Sequence, residues 1–496
     1  MSDDTLPRLP SNTTDEGGTA GDVLTLVIAW SEEEPQRVGE SCAFPELGQQ
    51  YVLGRGHGDG SDQRIGFAPW RPGDPANAEP LAAEHVSRRQ LEVAPMAVGV
   101  SVKLLGPGEL FIDGERTDHG LASVGQTIRL DKRLLLLVTR RAATFTPRFL
   151  LPAARGCRFG ESDCFDITGE SVALSRMLDE VAFAAQSGEH VLVRGDTGTG
   201  KELVARAVHA LSDRAKRPFF AQNAAAIPTE LIDVELCGHA ADFPNKGMPE
   251  TQGMIGETAD GTLFFDEIGE MSQELQAHLL RILDAGGQYR RVGDSKGRRT
   301  ALRMVGATNR PLDGMKHDLL PRFRRHIEVP PLSARMEDIA LLARAYARKL
   351  AAQKSPLIER FVEERPDGTR DVRFGIDFVD ALLSCDHPTN VRGLEKAVLD
   401  SMMKSSGRTL RAYPELLARS RRGHAGTPAA PTRTPGGHVR ITPELEARAR
   451  LLLDGTHGSV TRAAQALGLS RDQVKRLRDR LGIGRTPSDD DDSADV

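Results

Sequence analysis

The sequence predicts a multidomain protein in which an all-β sandwich, an α/β unit and a small all-helical unit follow one another. Three observations carry that prediction. Residues 22–145 hold short β-type runs separated by Gly/Pro turns. From 165 to about 410, helical spacings alternate with short apolar runs, and one run ends in a glycine-rich turn carrying a lysine. Residues 439–485 hold short helical spacings around Gly468 and a local excess of basic residues. A chain of 496 residues has room for about three such domains.

Composition narrows the class further. The formal charge of −5 gives no overall nucleic-acid signal, so basic regions must be local. Five scattered cysteines, odd in number and without a C-x-x-C pair, argue for reduced thiols in a cytoplasm and against a disulfide framework or zinc site. The acidic start Met1-Ser2-Asp3-Asp4 has no apolar core of a secretory signal. The longest aliphatic run, Leu134 to Val138, is far too short to span a bilayer. A cytoplasmic protein without membrane attachment is expected.

Taken in order, residues 1–21 are rich in Ser, Thr, Gly and Asp and read as disordered. Strands are expected at Val23 to Ile28, Tyr51 to Leu53, Leu91 to Val93, Val100 to Leu105, Leu110 to Ile112 and Leu134 to Val138, with Asp113-Gly114 as a hairpin turn. Two strings stand out, Leu53-Gly54-Arg55 and His85-Val86-Ser87-Arg88-Arg89-Gln90. In this setting residues 22–145 resemble a forkhead-associated (FHA) domain, whose loops bind phosphothreonine. The resemblance implies phosphopeptide binding by Arg55, Ser87 and Arg88, and an arginine fork with a hydroxyl suits a phosphate dianion. Gln90 stands where the family has its histidine, and Gly108-Glu109 where it has Asn-Gly. The alternative is a sandwich that keeps the fold and makes only protein contacts. Residues 146–164 lack periodicity and read as a linker.

The next unit is organised around Val191-Leu192-Val193-Arg194 and the turn Gly195-Asp196-Thr197-Gly198-Thr199-Gly200-Lys201-Glu202. Gly195, four residues, then Gly200 and Lys201 reproduce a phosphate-binding loop. Its glycines turn backbone N–H groups onto a polyphosphate, and its lysine reaches the β/γ-phosphates. Thr262 to Phe265 is a continuous apolar run, as in buried parallel strands, and it ends in Asp266-Glu267. Beside a phosphate loop, Asp266 would hold Mg²⁺ and Glu267 would orient and deprotonate the attacking water. Met304 to Ala307 is a further strand, with the polar tip Thr308-Asn309.

Together with Ile167-Thr168-Gly169-Glu170-Ser171, Asn223-Ala224-Ala225-Ala226-Ile227-Pro228, Glu235-Leu236-Cys237-Gly238-His239 and Phe265-Asp266-Glu267-Ile268-Gly269-Glu270, this set resembles the AAA+ domain of bacterial enhancer-binding proteins, the sigma-54-type transcription activators. The resemblance implies an AAA+ ATPase over 165–410, with a helical lid from about 335, using ATP and Mg²⁺. It implies that Asn223 restrains Glu267, that Thr308 and Asn309 are sensor I, that Arg392 is sensor II, and that Arg322 is an arginine finger acting on a neighbour's ATP. A finger in trans implies a homo-oligomer, between a dimer and a hexameric ring. Glu202 after the lysine is the family's own residue. The family's sigma-54-touching loop, Gly-Ala-Phe-Thr-Gly-Ala, is replaced here by Asp242-Phe243-Pro244-Asn245-Lys246-Gly247, and Lys316 stands where many relatives have a second arginine.

Residues 411–438, rich in Arg, Gly, Pro and Thr toward their end, read as a flexible linker. Beyond it, Ala463-Ala464 permits close helix packing, Gly468 makes a turn and Ser470 caps a helix that presents Arg471, Gln473, Lys475 and Arg476 to DNA. Ten Lys/Arg against five Asp/Glu over 439–485 leave that segment at +5. The stretch resembles a Fis-type helix-turn-helix, implying binding to an upstream operator or enhancer. Residues 486–496 read as an acidic tail.

The leading expectation is therefore an ATP-hydrolysing, DNA-binding transcriptional regulator that acts on RNA polymerase with sigma-54 and is tuned by a phosphothreonine-bearing protein. The alternative is a DNA-binding regulator that retains ATP binding but does not remodel that polymerase, because of the loop at 242–247. A third, an AAA+ unfoldase with an adaptor domain, would lack selective DNA binding by 439–485.

Overall fold

The computed structural model describes residues 22–57, 62–71, 77–142, 145–149, 155–284, 287–310, 315, 318–354, 356–365, 368–419 and 474–476. Among them no helix is long and apolar enough to cross a membrane.

Ten strands come first: β1 (Asp22–Ser31), β2 (Ser41–Phe44), β3 (Tyr51–Leu53), β4 (Leu91–Met96), β5 (Gly99–Leu104), β6 (Leu110–Ile112), β7 (Glu115–Thr117), β8 (His119–Ser123), β9 (Thr127–Leu130) and β10 (Leu134–Ala142). They form two antiparallel sheets, β2-β1-β10-β9-β6-β7 and β3-β4-β5-β8, around one core. In β4 the side chains alternate, with Leu91 and Val93 inward. Asp113 and Gly114 both take positive φ (49° and 85°), which is the mirror-image turn a two-residue hairpin needs between β6 and β7.

Two strands break the alternation. In β10, Leu134, Leu136 and Val138 fill the sandwich core, while Leu135 and Leu137 enter a second core shared with helices between 339 and 418. In β1, Leu24, Leu26 and Ile28 point one way, and Val27 and Ala29 the other. The five-residue apolar run in β10 is thus the signature of a strand covered on both faces.

The α/β unit contains α1 (Val172–Ser187), β11 (Val191–Arg194), α2 (Lys201–Ala210), β12 (Phe219–Asn223), α3 (Ile232–Cys237), α4 (Gly253–Thr258), β13 (Thr262–Asp266), α5 (Gln273–Asp284), β14 (Gln288–Tyr289), β15 (Arg298–Arg299), β16 (Arg303–Thr308) and β17 (Arg325–Glu328). Its five-stranded sheet, β12-β13-β16-β11-β17, is parallel throughout. Helices on both faces explain why β11, β13 and β16 are almost wholly apolar. Ser171 caps α1, accepting from Leu174 N. At the other end of α1, buried Arg303 donates to the carbonyls of Ala184, Ala185 and Glu189, satisfying the orphan acceptors of the last turn. That burial lowers its guanidinium pKa to about 10.

The lid follows a 3-10 segment, Leu332–Asp338, and comprises α6 (Ile339–Ala352), α7 (Pro356–Glu359), β18 (Val362–Glu364), β19 (Arg370–Val372), α8 (Ile376–Ser384), α9 (Asn390–Lys404) and α10 (Pro414–Ala418). Two expected boundaries are corrected here. The linker expected from 411 starts later, because Tyr413 and Leu416 belong to the lid core. The linker expected over 146–164 is docked where it is described. Arg155 and Asp163 are buried, and Arg155 donates to Glu170 and to the Gly169 carbonyl. Arg71 of the sandwich reaches the same Glu170 at 2.6 Å.

Residues 1–21, the helix-turn-helix expected over 439–485 and the acidic tail over 486–496 lie outside the described residues, apart from helical Val474, Lys475 and Arg476. Arg471, Gln473 and Lys316 are therefore not described.

The lid has one concentrated electrostatic tie. The Asp371 carboxylate, 1% exposed, accepts from Arg344 and Arg348 and pairs with Arg365, and Arg344 also donates to the Pro35 carbonyl of the sandwich. Burial alone would push this carboxyl up, but the hydrogen bonds from Arg344 and Arg348 outweigh it and hold its pKa far below the carboxylate range. Its contribution to stability is therefore fully present above the unfolded carboxylate value of about 4 and is lost as pH falls below it. Asp371→Asn is expected to destabilise the protein by about 3 kcal/mol at pH 7. In denaturant titrations at falling pH, the gap to wild type should narrow below about pH 4.

Candidate functional site

Strand β11 ends at the phosphate loop and β13 ends at the two acids, so the sheet brings both to the same carboxyl edge. There a cleft of about 440 Å³ opens between the sheet and the lid. It is lined by Thr197 to Val204, Asp266 and Glu267 from the α/β unit, and by Arg335, Tyr346, Lys349, Val391, Arg392 and Glu395 from the lid side.

The phosphate loop is held from several directions. Gly200, with φ of 101°, leads into α2, so successive amides face the cleft at the helix N-terminus. Thr199 Oγ1 donates to the Asp196 carbonyl at 2.9 Å, and Lys201 Nζ to the carbonyls of Gly195 and Asp196 at 3.0 and 3.3 Å. Gly198 is glycine by necessity. Its φ is 76°, and a Cβ there would lie 2.1 Å from the Thr389 carbonyl oxygen. Val391 N donates to the Gly198 carbonyl at 3.0 Å, and Asn390 Nδ2 to that of Thr197 at 3.1 Å. The lid thus clamps the loop through the start of α9.

The expected site residues separate into those the cleft gathers and those it does not. Lys201, Asp266, Glu267 and Arg392 line it. Glu267 takes a left-handed backbone (φ 53°) and donates its N–H to Asp266 Oδ1 at 3.0 Å, fixing one acid against the other. Glu202 also lines the cleft while pairing with Arg206 one turn along α2 at 2.8 Å. Asn309 reaches the loop, its Nδ2 donating to Thr197 Oγ1 at 2.9 Å.

Three of the expected residues do not line this cleft. Thr308 is buried and its hydroxyl accepts from Arg310 N at 3.0 Å, so it shapes the turn rather than lining the cleft. Asn223 sits opposite Asp266 on the neighbouring strand, yet its side-chain oxygen accepts from Ala225 N at 2.9 Å. Among the described residues no hydrogen bond joins it to Glu267. Arg322 is exposed, on the 3-10 turn Leu320–Arg322, and does not line its own chain's cleft.

Residues without an assigned role in the sequence also form this site. Asp166 and Lys349 pair at 2.7 Å, joining the segment before α1 to the lid beside the cleft. The hydrogen bond to Asp166 raises the Lys349 pKa. Burial raises the carboxyl of Glu395, against the pull of Lys349 and Arg392. Nothing in spacing or composition marks Asn390 or Arg335. Only the crowded backbone around Gly198 reveals that the lid must touch the loop.

Two further regions bear on function. At one end of the sandwich, Arg55 N donates to the Ser87 carbonyl at 3.0 Å, which brings Arg55, Ser87 and Arg88 together. Gln90 is buried. Its Oε1 accepts from Ser87 N at 2.9 Å and its Nε2 donates to the Pro107 carbonyl at 2.8 Å, tying the two loops that flank this end. In the α/β unit the loop at 242–247 is closed. Asp242 Oδ1 accepts from Gly247 N at 2.6 Å, and Asp242 N donates to Met248 O. The Phe243 ring lies so near Gly293 that a Cβ there would sit 2.6 Å away.

Comparison with known proteins now gives these features a context. Residues 167–327 match the model of the sigma-54 interaction domain. The Nif-specific regulatory protein of Bradyrhizobium diazoefficiens is 37% identical over 49% of this chain and 40% of its own length. The transcriptional regulatory protein ZraR of Salmonella typhimurium is 33% identical over 65% of this chain and 68% of its own. The formate hydrogenlyase transcriptional activator FhlA of Escherichia coli is 33% identical over 66% of this chain and 46% of its own. The chain thus spans less than half of two of these relatives and two thirds of the other. A solved structure of NtrX from Brucella abortus in complex with ADP is 28% identical, covers 64% of this chain and 70% of that one, and gives a TM-score of 0.43. The phosphate loop, the acid-tipped strand, the domain match and the similarity to ZraR lead to one assignment: the chain belongs to the family of transcriptional regulatory proteins built around a sigma-54 interaction domain.

Proposed function

We propose that the protein is an ATP-hydrolysing, DNA-binding regulator of transcription of the sigma-54-dependent type, with an FHA-like sensory sandwich. The observation that carries this reading is the cleft in which the phosphate loop, Asp266, Glu267 and Arg392 meet. In it, loop amides and Lys201 would hold the β- and γ-phosphates of ATP, while Glu267 would orient a water and take its proton. Magnesium fits this donor set through Asp266. Among the described residues no group of three His, Cys, Asp or Glu side chains could cage a metal. That suits an ion held mainly by phosphate oxygens and one strand-end carboxylate. When bound, it would neutralise phosphate charge. Arg322, exposed and outside its own cleft, would serve a neighbour's nucleotide, so activity would need a homo-oligomer up to a hexameric ring. Arg471, Gln473, Lys475 and Arg476 would bind an upstream operator or enhancer, and the protein would act in the cytoplasm.

A second reading has a specific observation in its favour. The closed loop at 242–247, with Phe243 laid against Gly293, differs in sequence from the segment that touches sigma-54 in the resembled family. The protein would then bind ATP and DNA without remodelling sigma-54 polymerase.

Purified protein separates the two readings. With sigma-54 polymerase, a supercoiled promoter and ATP, the first expects open complexes that Lys201→Ala abolishes, along with a loss of hydrolysis of at least ~100-fold. Hydrolysis without open complexes would select the second reading, and no hydrolysis by wild type would remove the first. For the sandwich, a phosphothreonine peptide titrated by calorimetry should bind wild type and lose about 1.5–3 kcal/mol of affinity with Arg55→Ala. Equal binding to both would exclude phosphate capture at this end.

A further inference from the structure

The segment Leu332–Asp338 has two occupied sides. On one, Arg335 leaves helical geometry (φ −139°, ψ 47°), is 4% exposed, lines the cleft and donates from Nη2 to the Thr199 carbonyl of the phosphate loop at 3.3 Å. Its Nε is buried without a hydrogen-bond partner among the described residues. Asn390 joins the same side, its Oδ1 accepting from Leu332 N at 2.7 Å while its amide holds Thr197. On the other side, Glu337 accepts from Arg141 Nε of strand β10 at 2.7 Å, with both side chains nearly fully buried. Arg141 is in turn fixed by Ser41 Oγ at 2.8 Å. Next to Glu337, Asp338, wholly buried, accepts from the N–H groups of Glu170 and Ser171 and from the Ser171 hydroxyl.

A guanidinium buried against a loop carbonyl, two residues from an ion pair to another domain, cannot move independently of that pair. The intervening backbone is too short to absorb a shift, and Asp338 anchors its far end. We propose that Arg335 is a positioning residue for the phosphate loop, and that the sandwich sets its position through the Arg141–Glu337 pair, so that docking of the sandwich tunes affinity for a nucleoside triphosphate. The inference rests on reading the cleft as an ATP site. Burial lowers the Arg335 pKa against the opposing pull of Asp338, in keeping with a group held for its geometry.

The test uses the full chain, fluorescent ADP binding and steady-state ATP hydrolysis. Arg141→Met combined with Glu337→Met removes both charges together, avoiding an uncompensated buried ion. It is expected to weaken ADP binding and raise KM for ATP at least fivefold, with kcat within twofold, although neither residue lines the cleft. Arg335→Gln should do the same, and Arg335→Lys, which can still donate to Thr199, should recover part of the loss. Arg141→Lys, a milder change that keeps the charge, should shift KM in the same direction by a smaller factor. Wild-type KM in folded forms of both Arg141 variants would overturn the coupling. A fall in kcat and thermal stability without a change in KM would reduce the pair to a structural role and overturn it as well. Absence of nucleotide binding by wild type would overturn the ATP reading and the inference together, an outcome distinct from variants that merely match an active wild type.

Discussion

The packing of strand β10 on both of its faces is the constraint on which the arrangement depends. Leu134, Leu136 and Val138 close the sandwich, and Leu135 and Leu137 close the lid core. Polar side chains at 135 or 137 would have no water to meet. The same surface carries Trp30, whose indole N–H donates to the Phe374 carbonyl, and Thr127, whose hydroxyl donates to buried Asp380. A sandwich that touched the lid only through rim charges would gain little from each of them. Here apolar burial does the holding, and the buried polar pairs fix the orientation.

That constraint explains which parts of the fold were legible. Strands β1, β3, β4, β5, β6 and β10 were readable because each carries a β-type run. Strands β2, β7, β8 and β9 were not read, being four residues of mixed burial or edge segments such as Glu115–Thr117, where no apolar face is required. The docked stretch after residue 154 reads as a linker in the sequence for a related reason. Arg155, Asp163, Glu170 and Arg71 hold it by ion pairs and carbonyl hydrogen bonds, which leave no periodicity in the chain.

Within the cleft, sequence spacing located the loop and the acids, since phosphate chemistry dictates those residue types at those intervals. It did not locate their supports. Asn390 holds Thr197 from 193 residues away, and Arg335 holds Thr199 from 136. Side chains at such separations share no local pattern. Thr308 and Asn309 show the complementary limit. Both are polar at a strand tip, and only the path of the backbone sends one hydroxyl into the turn and the other's amide onto the loop.

The departures from the resembled families also follow a physical pattern. At 90, glutamine offers one acceptor and one donor on a planar amide, and both are used to brace neighbouring loops, at Ser87 and Pro107. The replacement keeps the loop scaffold without itself supplying a cationic group. At 242–247, Asp242 closes the loop upon itself and the Phe243 ring lies against Gly293 while remaining exposed. The nucleotide cleft shows no comparable change, since Glu202 belongs to the resembled pattern. Residue types thus follow the resembled pattern where a small ligand's fixed chemistry would set them, and depart from it where another macromolecule, itself free to vary, would be the partner.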